Sequence, residues 1–319
     1  MKVYTSLSSI PKIKKKSAVT IGVFDGMHLG HKRLIESTIA CAQTLKGKSI
    51  VITFKGHPSK HLNKDSDIQL IKSTQAKIKR IKSHGIDICV LLDFKKIHNK
   101  TALDFIKDIL VKKINAGCIN EGADFVFGKG GLGNIGFLKE NGKKFGFEVN
   151  IVPEVKVGGK RVSSTLIREM LKAGNIEKVE QMLGRQYSIT GKVMRGRHIG
   201  FDYPTANLQL DYEDIPAKGV WAVKVEYNGK QFTGAANIGF APTLKNEEKQ
   251  LLEVYIFDFN ENIYGKEIKV IFMERLRDEI KFNTKEALMK QVREDISYIK
   301  NKYSQKHLAY IKKVPRTKK

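Results

Sequence analysis

Between residues 17 and about 157, short β-branched apolar runs alternate with longer segments whose apolar residues recur at helical spacing. Segments 18–24, 49–54, 86–94, 123–127 and 147–155 are predicted strands, most of them continuously apolar, as strands covered on both faces are. Segments 32–45, 74–83 and 101–114 are predicted helices. This alternation spells βαβ units, whose right-handed crossovers build an α/β doubly wound parallel sheet with a ligand crevice beyond the carboxyl ends of its strands. Two more helical segments, 164–172 and 176–183, close this half.

After Gly184 the strand patterns shorten and are punctuated by Gly and Asn. Segments 220–227 and 230–236 flank Asn228-Gly229, the dipeptide suited to a type I′ hairpin turn because both positions accept positive φ. Segments 251–259 and 266–274 continue the strands, and 284–303 is a long helical stretch that opens on a Thr284 cap. A small β-barrel followed by a C-terminal helix is expected, and the domains are expected to divide as 1–183 and 184–319.

The 319 residues carry 58 Lys and Arg against 33 Asp and Glu, a formal charge of +25. The excess is spread over both halves, +17 in 1–183 and +8 in 184–319, and the short clusters at Lys14–Lys16 and 312–319 lack interleaved aromatics for base stacking. A lysine-rich solvated surface or an anionic substrate such as a polyphosphate explains it better than nucleic acid. No apolar run reaches 18 residues and the first 16 lack the core of a signal peptide, so neither a membrane span nor secretion is expected. Cys41, Cys89 and Cys118 are odd in number and widely spaced; all three are expected to be reduced, in a cytoplasmic protein.

The most informative stretch is Gly22-Val23-Phe24-Asp25-Gly26-Met27-His28-Leu29-Gly30-His31, placed where the first predicted strand gives way to a helix. A doubly wound sheet holds phosphate there. Gly26 and Gly30 allow the backbone close to a ligand, and His28 and His31, three apart, can face one anion and stabilise charge on a transferring phosphoryl group. As a plain turn with two surface histidines the stretch would do nothing, and no third Cys or His ligand nearby favours zinc. The second stretch, Arg161-Val162-Ser163-Ser164-Thr165-Leu166-Ile167-Arg168, opens a predicted helix: its hydroxyls and free N–H groups suit an anion, and Arg168 adds a bidentate contact one turn on. On its own it also reads as an ordinary Ser cap.

Together these stretches resemble the HxGH nucleotidylyltransferase superfamily and, within it, the bacterial bifunctional riboflavin kinase/FAD synthetase family. Pro204-Thr205-Ala206-Asn207, Ala236-Asn237-Ile238-Gly239 with Pro242-Thr243, Glu253 and the segment Leu276 to Phe282 are similar to that family's flavokinase module in content and order. The resemblance implies two ATP-dependent steps, phosphorylation of riboflavin to FMN in the C-terminal barrel and adenylylation of FMN to FAD, with release of pyrophosphate, in the N-terminal domain. It places ATP against Gly22, Phe24, Asp25, Gly26, His28, His31, Ser164, Thr165 and Arg168, with His28, His31 and Arg168 catalytic. Asp124 and Arg277 become flavin contacts. In the kinase half Thr205 and Asn207 would hold Mg²⁺ and ATP phosphates, and Glu253 would be the base. The partners implied are the small molecules riboflavin, FMN and ATP, with neither nucleic acid nor membrane.

Three departures from the family pattern touch these sites. Phe54-Lys55-Gly56-His57-Pro58 stands where Phe-Asp-Pro-His-Pro is usual, Gly130-Gly131-Leu132-Gly133-Asn134 replaces a Gly-Arg and an acidic residue, and the glycine-rich loop before Pro204 is remodelled. The last motivates an alternative, a monofunctional FAD synthetase whose kinase-like half only binds flavin or nucleotide. Gly128-Lys129-Gly130-Gly131-Leu132-Gly133 matches GxGxxG, but it comes late in the domain and precedes a segment that Gly136 and Gly142 make a poor helix.

Overall fold

The computed structural model describes residues 1–62, 68, 70–194, 205–209, 218–242 and 248–304. Two compact units are present, Met1–Ile167 with Met182–Gly184, and Arg168–Gln181 with the chain from Arg185 onward.

The first unit runs β1 (Lys2–Tyr4), β2 (Ser17–Ile21), α1 (Leu29–Thr44), β3 (Lys48–Phe54), α2 (Ser59–Leu62), α3 (Thr74–Ser83) and β4 (Ile88–Leu92). It continues with α4 (Ala102–Asp104, extended by the π-helical Phe105–Lys113), β5 (Ala116–Glu121), β6 (Val126–Phe127), β7 (Gly133–Asn134), α5 (Ile135–Phe145) and β8 (Glu148–Ile151). The short β9 (Lys156–Val157) and β10 (Lys160–Arg161) precede α6 (Ser164–Lys172) and α7 (Ile176–Leu183). A six-stranded parallel sheet forms in the order β1-β4-β3-β2-β5-β8. Ile50, Ile52 and Val90 pack with Phe105, Ile106 and Ile109 on one face. Val51 and Cys89 pack with Ile35 and Ile81 of α1 and α3 on the other, which is why these strands lack a polar side. From β2 the chain winds outward both ways, so the crevice opens between the carboxyl ends of β2 and β5.

Three sequence expectations are corrected in this unit. The parallel strand beside β2 is Ala116–Glu121, not 123–127, of which only Val126–Phe127 is extended, in a hairpin with β7. Strand β5 escaped notice because it ends on Asn120 and Glu121, which are nevertheless buried. Asn120 Oδ1 accepts from Ser37 Oγ at 2.9 Å and from Asn150 Nδ2 at 3.3 Å, and such pairing is what makes a polar residue tolerable there.

The segment expected to be a poor helix is α5, capped by Asn134 Oδ1 on the Phe137 N–H at 3.0 Å and ended by Gly146 at φ 71°. Gly142 is there for space: a Cβ would lie 2.5 Å from the Phe147 carbonyl oxygen. Gly142→Ala is therefore expected to destabilise the protein by about 1–3 kcal/mol. An unchanged Tm in thermal unfolding would contradict that.

The third correction concerns the cysteines, since Cys41 and Cys118 are joined, 77 residues apart in sequence, because α1 lies against β5. Cys89 is free and buried. Among the described residues no helix is long and apolar enough to cross a membrane.

In the second unit β11 (Ser188–Met194), β12 (Thr205–Gln209), β13 (Gly219–Tyr227), β14 (Lys230–Pro242), β15 (Glu248–Ile256) and β16 (Glu267–Arg277) close a barrel ordered β11-β12-β15-β14-β13-β16, and α8 (Lys285–Ser304) follows. Every neighbouring pair is antiparallel. Asn228 and Gly229 take φ of 46° and 74° between β13 and β14, as the type I′ turn requires. Inward residues such as Val223, Ile238, Val254 and Val270 fill the barrel, with Trp221 edge-on to Phe272 at 5.3 Å. Outside it, Ile299 of α8 packs with Ala222 and Phe257. The remodelled loop before Thr205 and the basic tail lie outside the described residues.

Candidate functional site

The first βα turn is unusually bent. Phe24, Gly26 and Met27 have φ of 52°, 73° and 45°, a left-handed stretch that non-glycine residues adopt only when the surroundings enforce it. Phe24 is fully buried, its ring 5.0 Å from that of His31, and the buried Asp25 carboxylate accepts the N–H groups of Ile71 at 2.9 Å and Lys72 at 3.3 Å. These two side chains thus shape the turn from inside.

His28 caps α1, its Nδ1 accepting the His31 N–H at 3.3 Å, an arrangement that puts the ring's proton on Nε2. Its ring stacks on that of His31 at 3.6 Å between centroids and 17° between planes. Gly30 makes the stacking possible, because a Cβ there would stand 3.1 Å from the His28 ring. Burial, then His28, then Lys77 hold His31 well below its ordinary value of 6.5, so it is neutral at neutral pH. Its Nδ1 is buried and meets no hydrogen-bond partner among the described residues.

The second motif comes to the same place. Ser163 is the cap of α6, its Oγ accepting the Leu166 N–H at 3.2 Å, which leaves Ser164 Oγ to donate to the Asp25 carbonyl at 2.9 Å. Two stretches about 140 residues apart in sequence are therefore in direct contact. Thr165 is exposed on the first turn of α6, and Arg168, one turn beyond Ser164, belongs to the second unit. Asp124 pairs with Arg161 of β10 at 2.6 Å, just ahead of the Ser163 cap.

Sequence patterning missed two charged residues at this crevice. Lys77 of α3 is 3% exposed and donates from Nζ to the carbonyls of Val23 at 3.0 Å and Phe54 at 2.8 Å. In the sequence it is one lysine among many on a polar helix, and nothing marks it. Glu121 lies where β5 parts from β2, and its carboxyl takes the Ile21 N–H at 2.5 Å and the Thr20 hydroxyl at 3.4 Å, groups that ladder pairing does not reach past Ile119.

Burial above all, with Asp124 adding to it, raises Glu121 well above the ordinary 4.5. A raised folded value means that the group's stabilising contribution is present below 4.5 and is lost as pH climbs toward the folded value, by up to about 1.4 kcal/mol per pH unit. Glu121→Gln should therefore raise Tm, with a larger gain in thermal unfolding at about pH 8 than at about pH 5. An equal gain at both would contradict this.

In the barrel Asn207, Glu253 and Asn237 occupy one rung, Asn207 opposite Glu253 and Glu253 opposite Asn237 on three adjacent strands. Directly paired residues share a face of the sheet, and the alternation that sends Leu208, Leu252, Val254 and Ile238 inward puts these three on the outer face. Thr205, two residues before Asn207, is on that face as well. Burial raises the Glu253 carboxyl, Asn237 donates a hydrogen bond that opposes the shift, and Glu279 adds to it. Asn237 was visible only as part of a motif, without a role.

Arg277 donates to Asp295 of α8 from Nη2 at 2.8 Å and Nε at 3.1 Å. Its guanidinium tethers β16 to the helix. Thr205 and Asn207 offer hard oxygens of the kind that bind Mg²⁺ together with nucleotide phosphates. Among the described residues no cluster of three His, Cys, Asp or Glu side chains could hold a metal.

The first unit carries a switch-point crevice with two histidines at a helix start, and the second a closed barrel that lines up a carboxylate with a Thr-x-Asn pair, arrangements suited to a transferase that handles nucleotide phosphates in each unit. A family model described as FAD synthetase matches residues 10–166, and one described as riboflavin kinase matches 183–303. The bifunctional riboflavin kinase/FMN adenylyltransferase of Buchnera aphidicola from Acyrthosiphon pisum is 37% identical over 95% of this chain and 99% of its own length. The Bacillus subtilis protein of the same name is 35% identical over 90% and 92%. A solved Streptococcus pneumoniae structure titled as a macrolide-efflux protein superposes with a TM-score of 0.81 at 31% identity, covering 94% of this chain and 98% of that one. The chain belongs to the bifunctional riboflavin kinase/FMN adenylyltransferase family.

Proposed function

We propose that the chain converts riboflavin to FMN and FMN to FAD, each step using one ATP, with adenylylation in 1–183 and phosphorylation in 184–319. The observation that carries the first site is the Ser164 to Asp25 hydrogen bond, which brings the two phosphate-binding motifs together.

In adenylylation a phosphate oxygen of FMN attacks the α-phosphorus of ATP, the bond to the β-phosphate oxygen breaks, and pyrophosphate leaves. The protein has no covalent step to perform, so positioning and charge stabilisation do the work. The His28 Nε2–H and the neutral His31 donate to phosphate oxygens as charge builds on them. The N-terminal turn of α6 with Thr165, and Arg168 one turn along, neutralise the same phosphates. Asp124 contacts the flavin.

In phosphorylation Glu253 takes the proton of the terminal ribityl hydroxyl as that oxygen attacks the γ-phosphorus of the second ATP. The raised Glu253 carboxyl is a stronger base than a solvated one. Thr205 and Asn207 would hold Mg²⁺, whose charge offsets that of the phosphates. Use of ATP and free flavin as substrates fits a cytoplasmic enzyme.

Incubation of the pure protein with riboflavin, ATP and Mg²⁺, followed by separation of the flavins, tests this. FMN followed by FAD supports both steps. FAD arising only from supplied FMN contradicts the kinase step, and neither product contradicts both.

A further inference from the structure

The rung Asn207–Glu253–Asn237 contains an amide whose oxygen is left unpaired. Asn237 Oδ1 is buried and meets no hydrogen-bond partner among the described residues. A buried acceptor in that state is costly, and an apolar side chain at the position would avoid the cost. The amide is therefore kept for its other end.

That end faces two carboxylates. Glu253 lies directly across the ladder from Asn237 and accepts its hydrogen bond. Gly239, two residues on and on the same face of β14, has no side chain, and the Glu279 carboxylate fills the place of the missing Cβ, with Asn237 Nδ2 3.6 Å from that place. Ionised carboxylates only accept, so the nitrogen of the amide belongs on their side and Oδ1 on the other. On its second side Glu253 is flanked by Asn207 of β12, with Thr205 two residues before it.

We propose that Asn237 is a positioning residue for phosphoryl transfer: from β14 it engages one oxygen of Glu253 and turns the other toward β12, the side of Thr205 and Asn207. There the second oxygen meets the ribityl hydroxyl as it attacks the phosphate. The same N–H favours the ionised carboxylate, the form that takes the proton, against the pull of burial and of Glu279, the charged group that acts on Glu253 among the described residues. This rests on the assignment of Glu253 as the base of the kinase step.

The test uses full-length Asn237→Leu, close to Asn in size but with neither donor nor acceptor, and Asn237→Ala, which decides the matter if the leucine does not fit. FMN formation from riboflavin and ATP is measured against pH, with FAD formation from supplied FMN as internal control. In both variants kcat of FMN formation is expected to fall about 10–10²-fold, a part of the roughly 10²–10⁴ that a general base supplies. KM for riboflavin and for ATP should stay within about threefold, and FAD formation should be unchanged. The acid limb of FMN formation should move to higher pH, because loss of the donor raises the Glu253 carboxyl further. In a Glu253→Gln background Asn237→Leu should cost less than about threefold, since a residue that acts through Glu253 has nothing left to act on. A wild-type kcat, an unmoved acid limb in both variants, or an undiminished cost in the Glu253→Gln background would overturn the proposal. FMN formation at the wild-type rate in Glu253→Gln itself would overturn the choice of base, and this proposal with it.

Discussion

His28→Ala is expected to remove FAD formation from FMN and ATP, by about 10²–10³-fold in kcat, while riboflavin is still phosphorylated at the wild-type rate. The ring makes two contributions that this change removes together. One is the Nε2–H, whose loss takes a fixed donor from phosphate oxygens as they gain charge. The other is the cap, because Nδ1 holds the His31 N–H at 3.3 Å and supports the stacked partner ring. Loss of a cap costs about 1 kcal/mol, which lowers Tm modestly and does not unfold the protein. His28→Asn separates the two contributions, since Asn caps a helix and has no ring: it should restore Tm and remain inactive. Initial-rate measurements with each flavin as sole substrate check this, and an active His28→Asn would show that the histidine acts only as a cap.

Glu253→Gln is expected to do the reverse, lowering FMN formation by about 10²–10⁴-fold with FAD formation from supplied FMN untouched. Gln preserves the size of the side chain and a hydrogen-bonding partner for Asn237, so the rung Asn207–Glu253–Asn237 is kept and only the base is lost. The wild-type pH profile carries a matching signature. Burial raises the Glu253 carboxyl and Glu279 adds to the effect, so the ionised form that the reaction needs disappears, as pH falls, at a higher pH than for a solvated carboxylate. The acid limb of FMN formation should accordingly lie above that range and be absent from the profile of FAD formation. Matching acid limbs in the two profiles would contradict the assignment of Glu253.

Much of this was legible in the chain because the relevant signals are local. Continuous apolar runs mark β2, β3 and β4 as strands covered on both faces, Asn228-Gly229 fixes the β13–β14 hairpin, and the two phosphate motifs sit at helix starts where backbone N–H groups are free. What was hidden depends on distant partners. Strand β5 reads as polar because Asn120 and Glu121 find their partners on α1, β2 and β8. Helix α5 reads as broken because Gly142, costly in an exposed helix, is needed where Phe147 passes close by.

The site divides in the same way. His28, His31 and Ser164 were found as motifs, whereas Lys77 is recognisable only once α3 is seen to lie under the ends of β2 and β3. Arg277 was named from its motif alone, and its pairing with Asp295 of α8 carried no local signal. The Cys41–Cys118 pair, far apart in sequence, left no spacing signal at all.

The central claim is that one chain carries two separate active sites linked by FMN. Mixing His28→Ala with Glu253→Gln in riboflavin, ATP and Mg²⁺ tests it most directly. Neither variant alone should carry riboflavin through to FAD, and the mixture should do so after a lag during which FMN accumulates. FAD formed from riboflavin by either variant alone, or a mixture that yields no FAD while each variant keeps its own half-reaction, would contradict the two-site account.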